Sequence, residues 1–130
     1  DIWRVHGEAA WRECEGQVAG SVLADLGQVI SMGGGMPIIP EVSVEMRREQ
    51  QADRLMVVYL DVAVGVLESR LGSGPGDRPA LLGASPVVEV EAVHRDRDPV
   101  YRSLADVICV VSDDEPAQYT CDRLLAMLIN

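Results

Sequence analysis

Three short, apolar, β-branched runs separated by helix-patterned segments constrain this chain most. They are residues 28–32 (QVISM), 54–60 (RLMVVYL) and 107–111 (VICVV). Continuous runs of this length suit strands buried on both faces of a parallel sheet. The intervening segments carry a helical repeat. Residues 8–26 place Trp11, Val18, Val22 and Leu26 on one predicted face. Pro40 is set to open a helix over 41–51, as proline favours the first helical position. Asp61 is the expected N-cap of a helix over 62–71, striped by Val64, Leu67 and Leu71. Residues 85–105 read as a charged helical region interrupted at Pro99, and Pro116 begins a last helix running to about Leu128. Such alternation predicts an α/β protein with a parallel sheet, one domain over residues 1–130.

The formal charge of −10, from 11 basic and 21 acidic residues, argues against a nucleic-acid or anionic-membrane partner, because either needs a concentrated positive face. Every basic residue is arginine. With no lysine, the chain offers neither a phosphate-loop lysine nor a Schiff-base amine. Cys14, Cys109 and Cys121 are odd in number and widely spaced, which fits reduced thiols in a cytoplasmic protein, with Cys109 packed as a small hydrophobe. No signal peptide and no apolar run of membrane-spanning length is apparent. Because the chain begins at Asp1, we expect a fragment or a processed product.

Several polar features invite a functional reading, each beside a plainer one. Gly33-Gly34-Gly35 follows the VISM run, where parallel-sheet ligands bind and bare backbone can approach them closely; a flexible turn would look the same. The spacing is neither a dinucleotide fingerprint nor a phosphate loop. Arg12 and Glu15 share a helix face, so the carboxylate can orient the guanidinium, or the two can form an ordinary surface pair. Trp11 beside Arg12 suggests an aromatic wall. Arg78, in the Gly/Pro-rich loop 72–83, can close over a phosphoryl group or merely solvate the loop. Arg95 and Arg97 alternate with Asp96 and Asp98, by default a solvated charge run. His6 and His94 have no expected partner at metal-ligand spacing, so no metal site is expected.

Taken in order, these blocks resemble the shikimate kinase family. The resemblance rests on Gly7-Glu8-x-x-Trp11-Arg12-x-x-Glu15, then Ser31-Met32-Gly33-Gly34-Gly35 and Val57-Val58-Tyr59-Leu60. It continues through Arg78-Pro79-Ala80-Leu81-Leu82, Arg97-Asp98-Pro99-Val100-Tyr101-Arg102 and Ala105-Asp106. The resemblance implies a P-loop kinase-like three-layer fold and transfer of the γ-phosphoryl group of ATP to the 3-hydroxyl of shikimate with Mg²⁺, a step towards chorismate and the aromatic amino acids. It implies that Arg12 and Arg97 grip the shikimate carboxylate. Backbone at Gly34 would meet the ring hydroxyls, with Gly33 and Gly35 shaping the turn. Trp11 would lie beside the substrate where the family usually has phenylalanine, Glu15 would orient Arg12, and Arg78 would be the lid arginine meeting ATP phosphates during catalysis. A monomeric, cytoplasmic parent enzyme is implied.

The departures are equally specific. The family's G-x-x-G-x-G-K-[ST] phosphate loop and Asp-x-Asp element are absent, with the first strand or strands that carry them. Met36-Pro37 replaces a small and an aliphatic residue, and the acidic stretch 112–115 (SDDE) stands where many members offer an adenine-side arginine. Without the strand leading into the phosphate loop, the sheet is expected to have unpaired edges, and this chain alone is expected to be inactive. Two alternatives remain open: a non-catalytic shikimate kinase-like binding module, and another small-molecule kinase such as a gluconate kinase.

Overall fold

Pro40, Pro86 and Pro116 each stand at or immediately before the first residue of a helix. In a computed structural model, which describes residues 2–25, 27–73, 85–113 and 115–129, contacts divide the chain into two compact units, Asp1–Val57 and Val58–Asn130.

The first unit holds helix α1 (Ile2–Leu23), a 3₁₀ turn (Met36–Ile38) and helix α2 (Pro40–Gln51). Gly7 interrupts α1 with φ 79°, a left-handed value that glycine adopts without steric cost, so the turn before it points differently from the helix after it. The buried face of α1 is not the predicted one. Trp11 and Val18 are exposed, while Ala19 and Leu23 are buried. That face continues through Glu15 and Arg12, so a polar pair sits at the head of an apolar stripe. Opposite, α2 buries Val42 and Met46 and begins at Pro40 as expected. Asp53, at φ 54°, turns the chain out of α2, and Arg54 donates to both oxygens of buried Glu49 at 2.7 and 2.8 Å. That fork holds the Glu49 carboxyl below the usual carboxylate range.

Residues 28–32 form no strand. They have no ladder partner among the described residues, and a β-strand exists only by pairing.

The second unit contains strands β1 (Val58–Val62) and β2 (Val107–Val111) with helices α3 (Val64–Ser73), α4 (Pro86–Leu104) and α5 (Ala117–Ile129). The strands pair in parallel, from Val58 opposite Val107 to Val62 opposite Val111. This ladder carries β1 past Leu60, so Asp61 lies within the strand rather than capping a helix, and α3 starts at Val64. Alternation puts Tyr59, Asp61, Ile108 and Val110 on one face, and Leu60 and Cys109 on the other. Cys109 is fully buried, as expected, among Arg123 of α5 and its own strand neighbours. Pro99 lies inside α4, which is continuous, correcting the expected interruption. The expected loop at 72–83 lies almost wholly outside the described residues, since α3 runs to Ser73.

Met46, 2% exposed, and Val44, 66% exposed, test this packing on one helix. Met46→Ala should lower unfolding stability by about 2–5 kcal/mol, because the cavity adds to the lost transfer energy. Val44→Ala should change it by no more than about 0.5 kcal/mol. Urea unfolding of both variants checks the contrast; equal losses would contradict the assigned face.

Candidate functional site

Arg12 is the centre of the polar cluster in the first unit. Its guanidinium pairs with Glu15 one turn on and with Glu8 one turn back, the latter at 3.2 Å. It also lies over the Trp3 ring, 5.8 Å from the centroid, and Trp3 meets Trp11 edge-on at 6.4 Å. The aromatic wall against Arg12 is therefore Trp3, with Trp11 behind it. The sequence gives no period linking Trp3 to Arg12, because the break at Gly7 redirects the first turn.

The triple glycine closes against the same cluster. Gly35 is buried, and a Cβ built on it would run into the Arg12 guanidinium, 2.8 Å from Nη2 and closer still to its neighbours. A Cβ on Gly33 would lie 3.2 Å from a Glu15 carboxylate oxygen. Gly35 thus permits backbone contact with a cation that any side chain would displace. Met36 N–H donates to Gly33 O at 2.9 Å, which tightens this turn. Arg12, Glu15, Gly33 and Gly35 thus lie in one neighbourhood.

In the second unit, Arg97 is half-buried on α4 and its side chain makes no hydrogen bond or ion pair among the described residues. Both flanking aspartates are engaged elsewhere. Asp96 takes Arg95 Nε at 3.2 Å. Asp98 accepts from Tyr59 Oη at 2.9 Å and from Arg102 Nε at 2.8 Å. Arg102 Nη2 reaches Asp61 on β1 at 2.6 Å, and its guanidinium lies 5.7 Å from the Tyr59 ring centroid. The run at 95–98 is therefore not uniformly solvated. Its Asp98 end is part-buried against the sheet.

These partners decide the ionisation. Burial, and then the hydrogen bond to the Asp98 carboxylate, raise the Tyr59 hydroxyl well above its ordinary value. Burial alone would also raise Asp98, but hydrogen bonds from Arg102 and Tyr59 outweigh it and hold that carboxyl below its ordinary 3.8.

His94 does have a neighbour at ligand spacing, which corrects the sequence expectation. Its Nε2 is 3.9 Å from Asp98, four residues along α4, and donor atoms of Asp61, His94 and Asp98 lie within 4.8 Å of one another. The Arg102 guanidinium, however, already bridges the two carboxylates, and its charge opposes a divalent ion there. With no lysine in the sequence, and with Arg78 outside the described residues, no donor set among the described residues fits ATP or Mg²⁺.

A sequence profile described as "SKI: Shikimate kinase" matches residues 1–129. The chain belongs to the shikimate kinase family. A shikimate kinase of Aromatoleum aromaticum is 36% identical over 107 residues, which cover 82% of this chain and 58% of that protein. One from Xanthomonas euvesicatoria is 32% identical over 126 residues, 97% of this chain and 67% of that protein. The fold matches that of a shikimate kinase from Acinetobacter baumannii, solved in complex with shikimate, at a TM-score of 0.79 and 23% identity over 98% of this chain and 67% of that one. The chain thus spans from just over half to about two thirds of these shikimate kinases. No helix among the described residues is long and apolar enough to cross a membrane.

The depressed Asp98 value fixes the sign of a pH effect. Asp98 contributes stability that is fully present above its ordinary 3.8 and is lost as pH falls through the lower folded-state value. Asp98→Asn should therefore be less stable than wild type at pH 7, and the gap should narrow as the solution is acidified below 3.8. Denaturant titrations across that range check it; a gap that widens in acid would contradict the assigned ionisation.

Proposed function

We propose that this chain supplies the shikimate-binding part of a shikimate kinase, with Arg12 and Arg97 as the cations that take the substrate carboxylate. The observation carrying this reading is the Arg12 cluster. An arginine oriented by two carboxylates, backed by an aromatic ring and lying on bare glycine backbone is a fixed anion-binding fork rather than a loose surface pair. Arg97, half-buried with no partner among the described residues, supplies a second available guanidinium. Backbone at Gly33, Gly34 and Gly35 suits a polyhydroxylated ring, because nothing projects from it to keep hydroxyl groups away. The family resemblance adds Trp11 beside the substrate and Arg78 at the phosphates of the nucleotide.

Phosphoryl transfer from ATP to the 3-hydroxyl, with Mg²⁺, requires a phosphate-binding element that these 130 residues do not include. The chain by itself therefore binds shikimate without turning it over.

Isothermal titration of the 130-residue chain with shikimate should give saturable binding. Arg12→Ala and Arg97→Ala should each weaken it by at least about tenfold, the loss of one charge-assisted contact. Shikimate methyl ester should bind poorly to wild type and lose little more in either variant. Unchanged affinity in both variants would overturn the assignment, and robust ATP-dependent phosphorylation by the chain alone would overturn its inactivity.

Gly35→Ala separates the site from the fold. The group it strikes is the end of a flexible side chain, so the urea midpoint should stay close to wild type. Shikimate affinity should nonetheless fall by about as much as in Arg12→Ala, at least about tenfold, because Arg12 is driven off Glu15. Wild-type affinity in Gly35→Ala would show that the glycine contact is incidental.

A further inference from the structure

The environment of Asp98 answers a question that the arginine reading leaves open: why Arg97 is available at all. Arg97 sits between two aspartates, and on this helix adjacent side chains do pair, as Arg95 and Asp96 do at 3.2 Å. An idle carboxylate at position 98 would therefore be within reach of Arg97 and would compete with any anionic ligand. Asp98 is not idle. One oxygen accepts from Tyr59 Oη at 2.9 Å, and the other accepts from Arg102 Nε at 2.8 Å. Arg102 is itself held by Asp61 at 2.6 Å and by the Tyr59 ring.

The spacing of these contacts matters as well as their charge. Asp98 and Arg102 are one turn apart on α4, roughly 6 Å along its axis. Tyr59 and Asp61 are one repeat apart on the same face of β1, about 6.7 Å. Two helix residues thus meet two strand residues at nearly matched intervals, which fixes how far α4 can slide along β1.

Resting on the reading that Arg97 binds the substrate carboxylate, we infer that Tyr59 and Arg102 are positioning residues. They occupy Asp98, fix α4 on β1, and so keep the Arg97 guanidinium free for an anion.

A merely structural staple and this role make opposite predictions. The measurement is shikimate titration by calorimetry on the 130-residue chain, with urea unfolding in parallel. Arg102→Met releases Asp98 and should weaken shikimate binding by about tenfold, in the range of one charged contact. Adding Asp98→Asn removes the competing charge and should restore most of that affinity, although stability stays low. Asp98→Asn alone should be less stable than wild type and yet bind shikimate at least as tightly. Tyr59→Phe, which deletes one hydroxyl, repeats the test if Arg102→Met does not fold: a smaller weakening, again relieved by Asp98→Asn.

Arg97→Ala is the control. If it binds shikimate as wild type does, the carboxylate reading fails and this inference falls with it. If Arg97→Ala weakens binding but Asp98→Asn brings no recovery, or Arg102→Met binds as wild type, the inference is overturned while the reading stands.

Discussion

The approach of bare backbone to a fixed guanidinium is the constraint on which the first unit depends. Arg12 can lie on the chain at Gly35 only because that residue has no side chain, and it stays there because Glu8 and Glu15 hold it from the turns on either side. Exposed ion pairs of this spacing contribute little to stability. Here the pair does something else: it removes the rotational freedom of a long side chain, so that under the proposed reading less order is lost when an anion binds. The apolar stripe through Ala19 and Leu23 holds this arrangement against α2, so packing at one end of the helix fixes electrostatics at the other.

The second unit solves a different problem. Its polar side chains meet across the sheet–helix boundary, where burial makes an uncompensated charge costly. Asp61 and Asp98 bring two negative charges to one place, and a single guanidinium bridges both while lying against the Tyr59 ring. The network also explains why Pro99 does not break α4. The proline removes one backbone donor, but Asp98 and Arg102 on either side are tied to β1, which holds the helix through the missing hydrogen bond.

What the residues disclosed in advance follows the range of each interaction. The helix from Pro40 and the strand at Val107–Val111 have local causes, a proline at the first turn and a run of β-branched residues, and both were legible. So was the Arg12–Glu15 pair, three positions apart on one helix. The strand expected at 28–32 failed because pairing is not a property of a segment alone. The end of β1 was misplaced for the same reason, since Val111 decides that Val62 is a strand residue. Trp3 was missed because a single left-handed glycine cancels the helical period on which such a search relies. The Asp98–Arg102 spacing was visible, but Asp61 lies 41 positions away from Arg102, and no local pattern joins them.

The edge-on tryptophan pair has a practical corollary. Trp3 and Trp11 are the chain's complete indole complement, and both belong to the arginine cluster. Indole emission from this chain, excited selectively over its three tyrosines, is consequently a local signal rather than a global average. Quenching, a wavelength shift or a change in anisotropy would register events around one guanidinium without any introduced label.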